Sequence, residues 1–268
     1  MRSRALALAA ASLSACGAST GESPTSSSAR ATVDQQIVEL VEDGVSSWQD
    51  ACGVDEIAGV CAAADPPGRA ARCGSRAGQL RVVARDPATV ARAERSFDEA
   101  LRLWNHGEPI NDITGADVES RAATAAAAAA RAYFFLAEPA IEDYLARGFP
   151  DSALNVDAFQ RWIREMNEGL RQPAAYYDAI GYELQVASAE PWLAASAARA
   201  AQLHEHFAYI LTTAPVPASF DGTSYTPESY CRALEDLADP LLAEARALFA
   251  RCQARPVGHE LCRSLVDL

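Results

Sequence analysis

Lysine is absent: all 23 basic side chains are arginine, set against 36 acids and a net charge of −13. With the abundant alanine, this reads as the codon usage of a GC-rich genome rather than as a functional selection. The acidic surface disfavours nucleic acid and anionic membrane surfaces as partners. No CxxC pair occurs, and the cysteine spacings of 8, 11, 20 and 9 intervening residues are unlike those of zinc ligands. His204 and His206 flank Glu205, but residues two apart on a helix point about 200° apart and cannot grip one ion together. A serine nucleophile elbow, a phosphate loop and a dinucleotide fingerprint are all missing, and Ser75 and Ser120 have no local company to activate them. Acids such as the Glu142-Asp143 pair and Glu235 read as solvated helix faces. No catalytic, cofactor-binding or metal-ligating residue is assigned, and the chain is expected not to be an enzyme.

What is present begins at the first residues. Arg2 and Arg4 precede an apolar run from Ala5 to Leu13, followed by Ser14-Ala15-Cys16-Gly17. A charged start, an apolar core too short to span a bilayer and small residues before a cut make a secretory signal over residues 1–15. Leu13-Ser14-Ala15-Cys16 resembles the lipobox of bacterial lipoproteins, whose cysteine sulfur carries diacylglycerol and becomes the first residue after cleavage. Cys16 is thus the expected lipid attachment. Residues 16–31, rich in Ser, Thr, Gly and Ala with Pro24, form the expected flexible tether. Loss of Arg2 and Arg4 with the signal takes the charge from −13 to −15. Residues 32–268 are then one folded domain, long enough for a substantial core.

Six further cysteines cluster at the two ends: Cys52, Cys61 and Cys73, then Cys231, Cys252 and Cys262. An even number in an exported chain suggests disulfides. Because each cluster holds three, complete pairing requires at least one bridge between the clusters. The two ends of the domain are therefore expected to be neighbours.

Between them the pattern is helical. Thr32 and Gln35 form a capping-box signature, and Ile37, Val38, Val41, Val45 and Trp48 recur at helical spacing up to Gly53. Residues 54–85 carry the weakest pattern: Ile57, Val60 and Cys61 suggest a short helix, Pro66-Pro67-Gly68 breaks it, and Leu80, Val82 and Val83 suit a helix or a brief extended piece. Asp86-Pro87 starts a helix through Val90, Phe97, Leu101 and Trp104. Alanine dominates a helix from Thr114 to Ala146, in which Pro139 predicts a kink or break between Glu138 and Ile141. Asn155 caps a helix that continues past Pro173 to Leu184, Pro191 opens another, and Thr226-Pro227-Glu228 starts one reaching Cys252. A short helix is expected over 257–267. Strand signals are nearly absent, which predicts an all-α chain of antiparallel helix pairs.

The pairs carry a repeat-like signal. Ala93, Phe97 and Ala100, and again Ala245, Phe249 and Cys252, place small, large and small residues where the second helix of a tetratricopeptide unit has them. More broadly, Ala129-Ala130-Arg131-Ala132-Tyr133-Phe134-Phe135-Leu136-Ala137-Glu138, Tyr144-Leu145-Ala146, Trp192-Leu193-Ala194-Ala195, Phe207-Ala208, Ala214-Pro215-Val216-Pro217, Tyr230 and Pro240-Leu241 follow one another in a telling order. That order and spacing, over about residues 86–268, resembles the C-terminal half of degenerate tetratricopeptide-repeat lipoproteins of gliding Gram-negative bacteria. The resemblance implies a TPR-like right-handed superhelix that binds another envelope protein, held to the outer membrane on its periplasmic side by lipid alone.

The aromatic set Trp162, Tyr176, Tyr177 and Trp192, with Tyr182, offers a possible groove for a small ligand or glycan, although the same spacings suit a core and Trp192 reads as a packing anchor after Pro191. A helical envelope hydrolase is the remaining alternative. The anchoring expectation has a direct check. Cys16→Ser should release the protein from membrane pellets, because two or more acyl chains hold firmly where none holds at all; a Ser variant that still sediments after a salt wash would remove the lipid assignment.

Overall fold

A computed structural model describes residues 32–54, 56–57, 60–64, 73–74, 80–106, 116–150, 155–184, 187–220, 223–255 and 262. The chain divides between Arg30 and Ala31, and all described residues belong to the unit that begins at Ala31. The signal, Cys16 and the whole tether lie outside them, as do Ser75 and all of the expected 257–267 helix except Cys262.

Six helices of more than a few turns are described: α1 (Val33–Asp50), α2 (Pro87–His106), α3 (Ala116–Leu145), α4 (Val156–Glu183), α5 (Glu190–Thr212) and α6 (Pro227–Gln253). Their starts follow from side chains that satisfy the free N–H groups of a first turn. The Thr32 hydroxyl accepts from Gln35 N–H while the Gln35 side chain accepts from Thr32 N–H. Asp86 Oδ2 accepts from Thr89 N–H at 2.8 Å, Asn155 Oδ1 from Ala158 N–H at 3.0 Å, and Thr226 and Ser229 cap one another reciprocally. Pro191 lies in the first turn of α5, where its missing donor costs nothing.

Named contacts fix the direction of each helix against its neighbour. Arg92 Nε donates to Ser47 Oγ while Phe97 faces Gly44, so α1 and α2 run antiparallel. Trp162, Gly169 and Tyr177 meet Gly148, Tyr144 and Phe134 in turn, so α3 and α4 are antiparallel. Glu190 pairs with Arg255 and the charge of Glu244 acts on His204, which sets α5 against α6 in the same way. The first helices of the three pairs lie side by side and parallel: Glu42 pairs with Arg131 of α3, while Phe134 and Glu138 of α3 meet Trp192 and Arg199 of α5. Two glycines set how closely the two helices of a pair approach. A Cβ on Gly44 would stand 2.5 Å from the Phe97 ring, and one on Gly169 would stand 2.6 Å from the Tyr144 ring, so each ring beds directly on the backbone of the facing helix.

The core follows these contacts. Ile37, Val41, Val45 and Trp48 of α1 and Ala93, Phe97, Ala100 and Leu101 of α2 are buried, as are Ala125, Ala129, Ala130, Ala132 and Ala137 of α3 and Ala194, Ala195, Ala198 and Ala201 of α5. An aromatic row joins the pairs: Phe97 stacks on Phe135, Phe134 packs edge-on to Phe135, and Trp192 and Tyr177 both lie on Phe134 at centroid distances of 5.4 and 6.0 Å.

Two expectations are corrected. The helix expected around Ile57–Cys61 is instead part of an antiparallel three-stranded meander, β1 (Glu56–Ile57), β2 (Val60–Ala64) and β3 (Leu80–Val82), in the order β1-β2-β3 with Ala62 opposite Val82. A five-residue apolar run is too short to stand as a helix, and here Cys61 is fastened by its bridge to Cys52 and by Val83 N–H donating to its carbonyl at 2.7 Å. Of the kink or break expected at Pro139, the break does not occur: α3 runs on to Leu145, and Pro173 and Pro240 likewise sit inside α4 and α6. Each proline removes one donor from its ladder, and packing on several sides holds the helix together regardless.

The bridges are Cys52–Cys61, Cys73–Cys231 and Cys252–Cys262. One of them, Cys73–Cys231, spans 158 residues and joins the two clusters as parity requires. The chain-entropy model assigns such a loop about 5 kcal/mol and each local loop of nine or ten residues roughly half of that. Replacing Cys73 and Cys231 together by Ser should therefore lower Tm by about 10 °C or more, and by more than replacing Cys52 and Cys61 does; an equal loss from the two double variants would contradict this ranking.

Candidate functional site

The charged groups that could do chemistry lie inside α3. Glu138 and Glu142 are one turn apart, 0 % and 8 % exposed. Glu138 accepts from both arms of Arg199, Nε and Nη2 each at 2.9 Å. Glu142 receives Arg85 Nε and Nη2 at 3.0 and 2.8 Å and the Cys61 N–H at 2.8 Å. Arg85 also donates to the Trp48 carbonyl and lies 4.1 Å over the Trp48 ring. Burial pushes the Glu138 carboxyl above the ordinary glutamate range, and the Arg199 fork opposes it. These oxygens face guanidinium and backbone donors, not an open surface where substrate could approach. Their chemistry is that of a clamp: α3 is fastened forward to α5 and backward to the meander and to α1.

The expectation that Glu142 and Asp143 share a solvated face is thereby corrected. The helix turns the first inward, while Asp143 remains at the surface and accepts from Arg147 Nη2 at 2.8 Å. Glu235 is exposed. Ser120 is exposed near the start of α3 and contributes its carbonyl to Thr124.

His204 and His206 diverge as their spacing requires. His206 Nε2 lies 3.3 Å from the Arg147 carbonyl with its ring edge-on to Tyr144, and burial lowers its pKa to about 4. His204 is half-buried and is also lowered by burial, against the pull of Glu244. Among the described residues, no three of His, Cys, Asp and Glu gather as metal ligands would.

The aromatic set is not brought into one groove. Trp162 donates its indole N–H to the Gly148 carbonyl at 3.1 Å and packs among Phe149, Phe159 and Phe207. Tyr177 is buried on Phe134, and Trp192 sits between Phe134 and Phe135 with Arg131 over its ring. Tyr176 lines a shallow cleft beside Arg147, Glu165 and Arg171, while Tyr182 stands 81 % exposed at the far end of α4. For Trp162, Tyr177 and Trp192, the spacing that suggested a groove is the spacing of a helix face turned to its neighbour.

A different cleft, of about 800 Å³, opens between the first turns of α4 and those of α6. The α4 wall is the stripe Val156, Phe159, Gln160, Ile163 and Arg164, at i, i+3, i+4, i+7 and i+8. Tyr230, Ala233, Leu234 and Leu237 form the α6 wall at the same helical spacing, and Thr223 to Tyr225 close one end. Val156, Tyr225 and Leu237 are 66 %, 47 % and 44 % exposed, so three of the five large apolar residues most open to water among the described residues share this one cleft. Clustered exposed apolar surface of this kind marks a binding site more often than scattered residues do. Sequence reasoning missed it because each stripe by itself reads as a core face; only the separation of α4 from α6 leaves Val156 and Leu237 open on the two walls. No family model, curated relative or solved structure matches the chain.

The clamp can be tested by contrast between neighbours. Glu142→Ala removes the carboxylate facing the buried Arg85 charge and should cost about 3–5 kcal/mol in urea unfolding, whereas Asp143→Ala, at an exposed pair, should cost about 1 kcal/mol or less. Equal losses would show that Glu142 is not the fastening point.

Proposed function

We propose that the chain is a lipid-anchored helical scaffold of the bacterial cell envelope, most consistent with the periplasmic side of the outer membrane, which holds another envelope protein and catalyses nothing. The observation that carries this reading is the arrangement of the pairs. Parallel first helices stand in a row, each with an antiparallel second helix, and this is how stacked helical repeats bury a continuous core while leaving helix faces open to partners. At 30 and 28 residues, α3 and α4 together far exceed a 34-residue tetratricopeptide unit. The kinship we propose is therefore one of pair stacking into a TPR-like superhelix, with long degenerate units. The signal and lipobox supply the address, and the exposed cleft between the second helices of consecutive pairs supplies a surface.

A second reading, a small-ligand lipoprotein, draws support from the cleft volume of about 800 Å³, which lies within the range of ligand pockets. It draws nothing from Trp162, Tyr177 and Trp192, whose rings pack against neighbouring aromatics.

Testing the scaffold requires a crosslinker suited to this chain, because without lysine the side chains offer amine-reactive reagents nothing to attach to. Photo-crosslinking residues placed at exposed positions around the surface, Tyr182 and Leu237 among them, should trap a discrete second protein in intact envelopes. Absence of any crosslinked species from all positions would sink the scaffold reading.

A further inference from the structure

The cleft between α4 and α6 has the form that a third helix fills. Its two walls are helical stripes four to five residues long, each apolar along its centre, and α4 and α6 scarcely touch one another directly. An extended peptide would need an open sheet edge or a ladder of backbone partners, and the walls offer neither, since helical backbone is spent on itself. A helix needs only side-chain packing, with anchors at i, i+3 or i+4 and i+7 set between two rows of the same period.

Charge specifies the partner further. Among the described residues, Arg164 is the one charged side chain lining the cleft; it is exposed, and it forms no ion pair with a described residue. The chain as a whole carries −13. A cation at the rim of an apolar cleft in so acidic a protein favours a carboxylate at that point, because beyond roughly 8 Å the surrounding negative charge is screened.

We infer that this cleft seats an amphipathic helix of the partner envelope protein, with large apolar side chains along one stripe and an Asp or Glu beside the stripe that meets Arg164. The inference rests on the scaffold reading and narrows it to one surface and one class of ligand. Val156, Ile163 and Leu237 receive the apolar stripe, and Arg164 sets its orientation. Two turns of helix cover less than a standard protein interface, so an isolated peptide binds weakly, with Kd on the order of ten micromolar.

The probe is a fluorescein-labelled, alanine-based helical peptide of about sixteen residues, bearing Leu at i, i+4, i+7 and i+11 and a flanking Glu, titrated with the full chain and followed by anisotropy; a second peptide carries Lys in place of the Glu. The Glu peptide should saturate in the ten-micromolar range and bind several-fold tighter than the Lys peptide. Leu237→Glu and Val156→Glu should each weaken it at least tenfold without moving Tm, since both side chains are exposed, and Arg164→Glu should reverse the preference between the two peptides. No saturable binding, or binding indifferent to all three substitutions, overturns the proposal. So does a concentration-dependent dimer abolished by Leu237→Glu, which would assign the cleft to a second copy, and so does an apolar dye that binds in the cleft and is not displaced by the peptide. The crosslinking positions separate the two levels of the argument. A partner trapped from Tyr182 and never from Leu237 sinks the cleft while the scaffold stands, and a partner trapped from neither sinks the scaffold itself.

Discussion

The fold depends on two carboxylates placed one turn apart on α3. Glu138 and Glu142 share one face of the helix and take a guanidinium each, Arg199 from α5 and Arg85 from the segment before α2. Moving such charges out of water costs several kcal/mol apiece, and only full hydrogen bonding recovers the cost. Here the recovery is nearly complete: each carboxylate takes two guanidinium donors, and Glu142 takes the Cys61 N–H besides. Apolar residues of the same volume would hold the helices as firmly. What the ion pairs add is register, because a forked pair fits at one position along a helix and a row of alanines fits at many. A core this rich in alanine, with its small and interchangeable side chains, has few other means of fixing how far one helix slides along the next.

That shortage of large side chains also gives the glycines and the bridges their weight. Gly44 under Phe97 and Gly169 under Tyr144 let one ring engage the facing backbone directly, so a few large residues do the locating while alanines fill the space between. Alanine buries little apolar area per residue, and stabilisation scales with that area at about 25 cal/mol per Å². The Cys73–Cys231 bridge compensates from the other side of the equilibrium by restricting the unfolded chain. It also fastens a segment ahead of α2 to the start of α6, the last long helix, so the row of pairs is closed covalently from one end to the other.

The sequence discloses the helices because their ends obey local rules. Thr32 with Gln35, Asn155, and Thr226 ahead of its helix mark starts that the structure places at the same residues. It discloses the parity of the cysteines for a similar reason, since counting needs no geometry. Where the reading departs from the structure, the deciding contact is distant in sequence. Val60–Ala64 is a strand because Val82, Val83 and Glu142 reach it from 20 to 80 residues away. Pro139 leaves α3 whole because packing from α1, α2, α4 and α5 outweighs one lost hydrogen bond. Glu142 looks like one acid of an exposed pair until Arg85 is seen opposite it. The cleft was the least legible feature, since an apolar stripe at helical spacing carries no sign of whether anything covers it.

The clamp and the cleft stand in a consistent relation. The clamp holds the middle of the molecule, where α3 meets its neighbours, whereas the cleft is built from first turns of α4 and α6 that are each secured separately. On one side Asn155 caps α4 and Trp162 ties it to Gly148; on the other, Thr226 and Ser229 cap α6, Tyr230 packs edge-on to Phe220, and Cys231 is bridged to Cys73. Walls fixed in this way lose little freedom when a ligand arrives, which removes part of the ordering cost that otherwise subtracts from affinity. An apolar surface with ordered walls also suits one ligand shape better than many. The cap and bridge residues around α4 and α6 thus contribute twice, first to the stability of the fold and then to the selectivity of the surface we assign to a partner helix.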